Sequence, residues 1–447
     1  MKTSIEFLNH ASVVISNTTD SILCDPWYEG DVFEKGWNLL YENDPQIISS
    51  KLEFVTHIWL SHEHPDHFSV PFFKRYKDII QRKHIIILFQ KRKDGRVRNF
   101  LQSHGFLVQE LLIDQKTRIS VSTSITCFKE GIYDSGILID SENERILNIN
   151  DCDITEEREV NRVLKVIGNK PVDVLLTQFS YAGWKGGKEN QKWRQEASAE
   201  KIHTIKLQIS TFKPSYIIPF ASFSYFSNEL NFYLNDSVNT PSSIYDALQS
   251  QPCKVLIMSP YDRFDGIYSE SKSRDSIIFW KEQYQSLSRR VLNRHEAVPF
   301  ETLEDSFKKY IGRVRKNNSF IFIKILKAIS PLNIFRDLYV FVPDYDYCLE
   351  IDICSTQLKK SKFQPDLAIN SGMLNFIFRF NYGFDTLTVN GCFEELNPGG
   401  FIRASKTLGI ELLNNMGLYI GPRFFLSPNV FLFIFKVMRR VRGKLSS

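Results

Sequence analysis

The stretch Ile58-Trp59-Leu60-Ser61-His62-Glu63-His64-Pro65-Asp66-His67 decides how this chain is read. Its first part closes the apolar run Phe54–Leu60, which is short, bounded and rich in β-formers and so predicts a buried strand. Beyond Leu60, three histidines and an aspartate fall within six residues of a chain that has only nine histidines, so the cluster is not a product of average composition. Imidazole and carboxylate are the ligand types that hold Zn²⁺, or iron in a similar pocket. A loop at a strand's end turns alternate side chains toward one point. His62 and His64 are therefore expected on one metal ion, and Asp66 and His67 on a second. Two neighbouring ions polarise a substrate oxygen and supply a hydroxide near neutral pH.

Outward from that loop, the first 230 or so residues alternate between strand and helix patterns. Strands are expected within Ser4–Ser16, at Ser21–Trp27 (ended by Pro26), His84–Leu88, Phe106–Leu112, Thr117–Phe128, Gly136–Asp140, Arg145–Ile149, Val172–Thr177 and Tyr216–Phe220. Helices are expected at Val70–Gln81 and Ala197–Phe212. After Phe226 the character changes. Asn228–Ser243 reads as polar loop, Asp275–Arg294 and Thr302–Lys316 as helices, and Cys348–Ile353 and Leu387–Val389 as strands. This places one domain over residues 1–250 and a mixed α/β extension over 251–447.

Hydrophobic residues make up 43% and charged residues 24%, which suits a globular chain of this length. A net charge of +5 falls short of the clustered excess that nucleic-acid binding demands. Seven cysteines stand singly with no Cys-x-x-Cys, which argues for a reducing compartment and against a disulfide framework. No apolar signal region precedes the first strand, and the expected location is the cytoplasm. The apolar run Val430–Phe435 is too short to span a bilayer, which takes about 20 residues. It is followed by Lys436, Arg439, Arg440, Arg442 and Lys444, so a peripheral membrane contact stands beside a packed helix with a solvated basic end.

The run from His62 to His67 matches the His-x-His-x-Asp-His signature of the metallo-β-lactamase superfamily. Asn9-His10-Ala11-Ser12 followed by Leu23-Cys24-Asp25-Pro26-Trp27 resembles the opening hairpins of the branch with ascorbate-phosphate lactonases and N-acyl-phosphatidylethanolamine phospholipases. Asp25-Pro26-Trp27 with Gly36-Trp37-Asn38-Leu39-Leu40-Tyr41-Glu42, then Leu147–Cys152, Phe179-Ser180-Tyr181-Ala182-Gly183 and Pro219-Phe220-Ala221-Ser222 are similar to the CMP-N-acetylneuraminate hydroxylase-like branch. The resemblance is strong over the first half and continues weakly through Asp344–Tyr347 and Gly417–Gly421. It implies an α+β fold, an αββα sandwich, with Asp151 as the metal-bridging carboxylate. It also implies one or two divalent ions, zinc first and iron second.

The chain departs from the family in two ways. The Cys-x-His and Cys-x-x-His spacing of a Rieske cluster does not occur, so the resemblance to the hydroxylases implies a separate ferredoxin or Rieske partner. Histidines that the superfamily carries before the bridging aspartate and after the last strand are absent, since Phe128–Asp134 and Ile218–Ser222 contain none. Asp134 or Glu130 is a substitute oxygen ligand or a solvated loop carboxylate.

The ligand set is thus His62, His64, Asp66, His67 and Asp151, with Asp66 or Asp151 orienting the attacking water. His10 is a pocket-lining or a structural histidine. Lys185 and Lys188, set among glycines after the Val172–Thr177 strand, are candidate contacts for a small anionic substrate. Three accounts follow. The first is a metal-dependent hydrolase of a phosphate ester, lactone or sugar nucleotide. The second is an oxygenase component with a separate electron donor, and the third is a binding protein on a decayed site.

Overall fold

The computed structural model describes residues 3–131, 133–141, 144–329, 334–422 and 424. It divides into two units, one drawn from Met1–Val32, Trp37–Phe226 and Tyr233–Val291, the other from Phe33–Gly36, Ser227–Phe232 and Leu292–Ser447.

The strands of the first unit are β1 (Ser4–Asn9), β2 (Ser12–Ser16), β3 (Ser21–Cys24), β4 (Trp37–Leu39), β5 (His57–Leu60), β6 (Ile86–Gln90), β7 (Leu107–Leu111) and β8 (Gln115–Arg118). They continue with β9 (Thr123–Lys129), β10 (Ser135–Ser141), β11 (Glu144–Asn150), β12 (Val174–Gln178), β13 (Tyr216–Phe220), β14 (Ser224–Phe226), β15 (Lys254–Val255) and β16 (Arg263–Phe264). Two seven-stranded sheets result, ordered β16-β1-β2-β3-β5-β6-β7 and β15-β13-β12-β11-β10-β9-β8. Each is antiparallel through its hairpins and parallel through its crossovers. Every residue of β3, β5 and β12 is buried, because these strands are covered on both faces, and such strands read as near-continuous apolar runs.

Helices cover the outer faces. Ile48, Leu52, Phe72, Phe73, Ile80, Val97 and Leu101 join Leu23, Ile58, Leu60, Ile87 and Phe89 in one cluster on the first sheet. On the second sheet, Val160 and Val163 of helix Glu157–Val166 are buried, as are Ile205, Ile209 and Phe212 of helix Gln191–Phe212. Between the sheets, Phe223 lies 5.1 Å from Phe7 and 5.2 Å from Phe179. The architecture is the αββα sandwich of the metallo-β-lactamase fold. Full burial of each such side chain is worth about 1.5–3 kcal/mol.

The first unit runs to Val291, past the expected boundary at 250. β16 completes the first sheet by pairing with β1, and helix Glu270–Ser286 closes the unit through Trp280. That indole is fully buried, stacks on Phe223 at 4.1 Å and donates from Nε1 to the Met258 carbonyl at 2.9 Å.

Two local expectations are corrected. The helix expected over Val70–Gln81 is two helices, Val70–Arg75 and Lys77–Arg82, broken at Tyr76, whose φ of −101° and ψ of 16° leave the helical region. The strand expected at Leu387–Val389 is helix Gly383–Asn390. Its β-forming residues mislead, but Gly383, Phe384, Thr386, Leu387 and Asn390 are the buried ones, a helical spacing, and Gly391 closes the helix at a φ of 65°.

The second unit holds a five-stranded sheet, β19-β18-β17-β20-β21, made of β17 (Leu338–Val342), β18 (Tyr347–Ile351), β19 (Lys359–Ser361), β20 (Leu367–Ala368) and β21 (Glu394–Glu395). Helix Phe300–Asn317 packs on helix Ser371–Arg379 through Phe307 and Phe378, 5.1 Å apart, and Arg313 grips both oxygens of Glu411 at 2.7 and 3.0 Å. The residues Val430–Phe435 and the basic positions after them lie outside the described residues. Among the described residues no helix is long and apolar enough to cross a membrane, and all seven cysteines are unpaired.

Trp280→Ala removes the aromatic group that ties helix Glu270–Ser286 to the sandwich and should lower the unfolding free energy by about 3–5 kcal/mol. Denaturant unfolding of the whole chain measures this; a change below about 1 kcal/mol would mean that the unit does not depend on the segment after residue 250.

Candidate metal centre

The carboxyl ends of the parallel strands converge. β3 delivers Asp25, β5 delivers the run from Ser61 to His67, and β11 delivers Asn150 and Asp151. His10 enters from the turn between β1 and β2, and Asp134 from the turn between β9 and β10. Open α/β sheets gather ligands at such ends because only there do loops from different strands meet.

Four residues at this rim hold left-handed backbone without being glycine: His10 (φ 34°), Asp25 (φ 39°), Asn150 (φ 54°) and Ala221 (φ 53°). Each such residue carries strain of about 1–3 kcal/mol, which persists only where surrounding structure over-determines it. The sheets do so here, and the Ala221 amide donates to the His10 carbonyl at 2.8 Å.

Three groups of potential ligand atoms form, each with all its atoms within 4.8 Å of one another: His62, His64 and Asp134; His10, Asp66 and His67; and His62, His67 and Asp151. In the first, His62 Nε2 lies 2.9 Å from His64 Nδ1 and 3.7 Å from Asp134 Oδ1. In the second, Asp66 Oδ2 lies 3.3 Å from His67 Nε2 and 3.5 Å from His10 Nε2. Asp151 Oδ2 sits 3.2 Å from His67 Nε2, so the third group overlaps both of the others.

The far sides of the His67 and His62 rings are held in place. Asp25 Oδ2 faces His67 Nδ1 at 3.1 Å, while Asp25 Oδ1 accepts from the Ser61 amide at 2.8 Å. Asn150 Nδ2 donates to Asp25 Oδ2 and, at 2.9 Å, to Ser61 Oγ, which lies 2.9 Å from His62 Nδ1. Carboxylate and hydroxyl partners of this kind fix the ring and leave Nε2 facing inward.

Electrostatics fits a cation. Burial first, then His67 and His64, push the His62 pKa well below its usual value, which keeps the ring in its neutral, ligating form. Burial opposes charge on His67 too, but Asp66, Asp151 and Asp25 together outweigh it and raise its pKa well above normal. Burial alone would raise Asp66; His67 and His10 reverse that and hold it low. Burial, with Asp151 adding, lifts Asp134 to about 7 against the pull of His64. Among the described residues, the buried Oδ1 atoms of Asp66 and Asp151 have no hydrogen-bond partner. Crowded carboxylates with unspent lone pairs are what a divalent ion satisfies.

All five residues of the expected ligand set are in these groups, and His10 and Asp134 join them. Glu130 does not: its carboxylate pairs with Arg162 at 3.0 Å. Neither Lys185 nor Lys188 lines the pocket beside His10, whose walls include Trp37, Gln178, Ser180, Tyr225 and Phe226. Lys188 is exposed, and its loop is held by backbone: the buried Arg194 donates to the Gly187 and Lys188 carbonyls at 2.7 and 3.0 Å and pairs with Asp236 at 2.7 Å. The sequence reading missed Asp25 and Asn150 as supports of the histidines, although Asp25 sits in the quoted Asp-Pro-Trp.

No family model matches the chain. It is similar in sequence to cytidine monophosphate-N-acetylneuraminic acid hydroxylase from Cricetulus griseus, with 23% identity over 276 residues, 57% of this chain and 46% of that protein. The chain thus spans about half the length of such relatives. Among solved structures it is similar to CmlA, a diiron β-hydroxylase from Streptomyces venezuelae (TM-score 0.44, 13% identity, 59% of this chain and 54% of that one). Another is Igni18, a metallo hydrolase from Ignicoccus hospitalis (TM-score 0.40, 13% identity, 59% and 99%).

Asp25→Asn should weaken metal affinity about 10–100-fold, because His67 loses the carboxylate that orients it. Competition against a chromophoric chelator, with circular dichroism to verify folding, measures it. Unaltered affinity would remove Asp25 from this role.

Proposed function

We propose that this metallo-β-lactamase-fold protein is a metal-dependent hydrolase with two adjoining cation subsites, acting on an anionic metabolite such as a phosphate ester, a lactone or a sugar nucleotide. The observation that carries this reading is the pair of ligand groups, His62–His64–Asp134 and His10–Asp66–His67, joined by a third, His62–His67–Asp151, that shares one histidine with each. His62, His64 and Asp134 would hold one ion and His10, Asp66 and His67 the other, with Asp151 between them. When bound, divalent ions in such a site polarise a substrate oxygen and make water nucleophilic near neutral pH.

The chain's own groups supply the rest. Asp25 and Ser61 keep the His67 and His62 imidazoles facing inward. Asp66 and Asp151 each bring a second oxygen without a hydrogen bond, placed to orient water or to take a proton from it. The pocket beside His10 combines aromatic walls with Gln178 and Ser180 and has room for about one water, close to the proposed ions.

Similarity to the hydroxylases favours a second reading, an oxygen-dependent hydroxylation that takes its electrons from a ferredoxin or Rieske partner. It requires iron and a reductant; the hydrolase requires neither.

The double variant His62→Ala/His64→Ala should lose most bound metal by elemental analysis together with any phosphodiesterase or lactonase turnover. Asp134→Ala and His10→Ala should each lower the metal-to-protein ratio by up to one ion. Unchanged stoichiometry in the double variant would overturn the ligand set. Turnover confined to the iron-loaded protein with a reductant would select hydroxylation over hydrolysis.

A further inference from the structure

Helix Phe320–Ala328 in the second unit turns one face inward and leaves another bare. Ile323 and Leu326 are buried, whereas Ile321 is 73% exposed, Ile325 47% and Ile329, at the helix end, 41%. These three isoleucines follow one another at four-residue intervals and so line a single face. Apolar surface repeated in register on a short helix is a contact surface more often than an accident.

The charge along this segment of the chain is of one sign. From Gly312 to Ile329 the chain carries Arg313, Arg315, Lys316, Lys324 and Lys327 and no carboxylate. Arg313 is committed to Glu411, and Lys327 to Asp337 and Asp352. Arg315, Lys316 and Lys324 form no ion pair among the described residues, and Arg315 and Lys324 flank the Phe320 ring at 4.2 and 4.7 Å. Cations on apolar stems beside bare isoleucines are the pattern of a helix that lies in a lipid headgroup layer.

The described chain also ends here. The Ser319 amide donates to the Ile420 carbonyl at 2.8 Å, and the Ile420 amide to Asn318 Oδ1 at 2.8 Å, which sets the last described residues beside the start of this helix. The sequence that follows is apolar over Val430–Phe435 and then carries Lys436, Arg439, Arg440, Arg442 and Lys444. Both stretches are apolar and cationic. Their charges repel one another, so they are not complementary as partners, and an anionic surface attracts both.

We propose that the Ile321–Ile325–Ile329 face, with Arg315, Lys316 and Lys324 beside it, binds an anionic phospholipid bilayer surface. This does not depend on the chemistry at the metal centre.

Co-sedimentation of the full-length protein with phosphatidylcholine vesicles and with phosphatidylcholine–phosphatidylserine vesicles tests it. Binding is expected to the phosphatidylserine vesicles alone and to fall as salt rises. The double variant Ile321→Asn/Ile325→Asn should bind at least ~10-fold more weakly, with an unchanged unfolding midpoint because both side chains are already exposed. The variant Arg315→Glu/Lys324→Glu should weaken binding as well. No vesicle binding, equal binding to neutral vesicles, or full binding by the isoleucine double variant would each overturn the proposal. So would a dimer in solution that the isoleucine substitutions convert to monomer, since the face would then be covered by a second copy.

Discussion

A single buried imidazole sets the terms for the whole centre. His67 has no solvent exposure, and Asp25, Asp66 and Asp151 surround it. An uncompensated charge in such a place costs several kcal/mol, so the arrangement requires positive charge among the three carboxylates. A proton on His67 supplies one unit; in the proposed site a divalent ion would displace that proton, supply more charge and engage the Asp66 and Asp151 oxygens that otherwise go unpaired. The left-handed backbone at His10, Asp25 and Asn150 accompanies the same demand. Side chains from separate strands must aim at one point, and the strand ends twist to allow it.

What the sequence reveals of this centre depends on whether the residues are neighbours in the chain. His62, His64, Asp66 and His67 stand side by side, and the buried strand before them is plain from its apolar run. Asp151 is visible only through resemblance, as the residue that ends an expected strand. Asp25 acts on His67 from 42 residues away, through the parallel pairing that sets Cys24 opposite Trp59. His10 reaches Asp66 because the turn after β1 packs against the loop after β5, and no local periodicity encodes that approach. The expectation for Lys185 and Lys188 came from composition, glycines with lysines, and composition does not reveal that Arg194 holds the loop by its carbonyls.

The outline of the first unit was legible because buried strands and amphipathic helices have distinct periods. Its end was not. The segment from Lys254 to Ser286 carries two very short strands and a helix with polar residues on most of its surface, so nothing marks it as part of the sandwich. Trp280 attaches it, and one indole leaves no periodic trace. Gly383–Asn390 shows the opposite failure: a run of β-forming residues becomes helical because the tertiary burial pattern overrides local propensity.

The fold does not choose between hydrolysis and hydroxylation, since one scaffold serves both kinds of site. The proposed donor set bears on that choice. Where the superfamily pattern has a histidine before the bridging aspartate, this chain brings Asp134 to within 3.7 Å of His62 Nε2. A carboxylate in place of a neutral imidazole adds a negative charge to its subsite, which lowers the Lewis acidity of an ion held there and shifts preference toward harder metals. Weaker Lewis acidity works against the activation of water at that ion, while extra negative charge stabilises a higher oxidation state. In the proposed donor set Asp134 would complete the first subsite, and it is the position at which the two readings of this protein diverge.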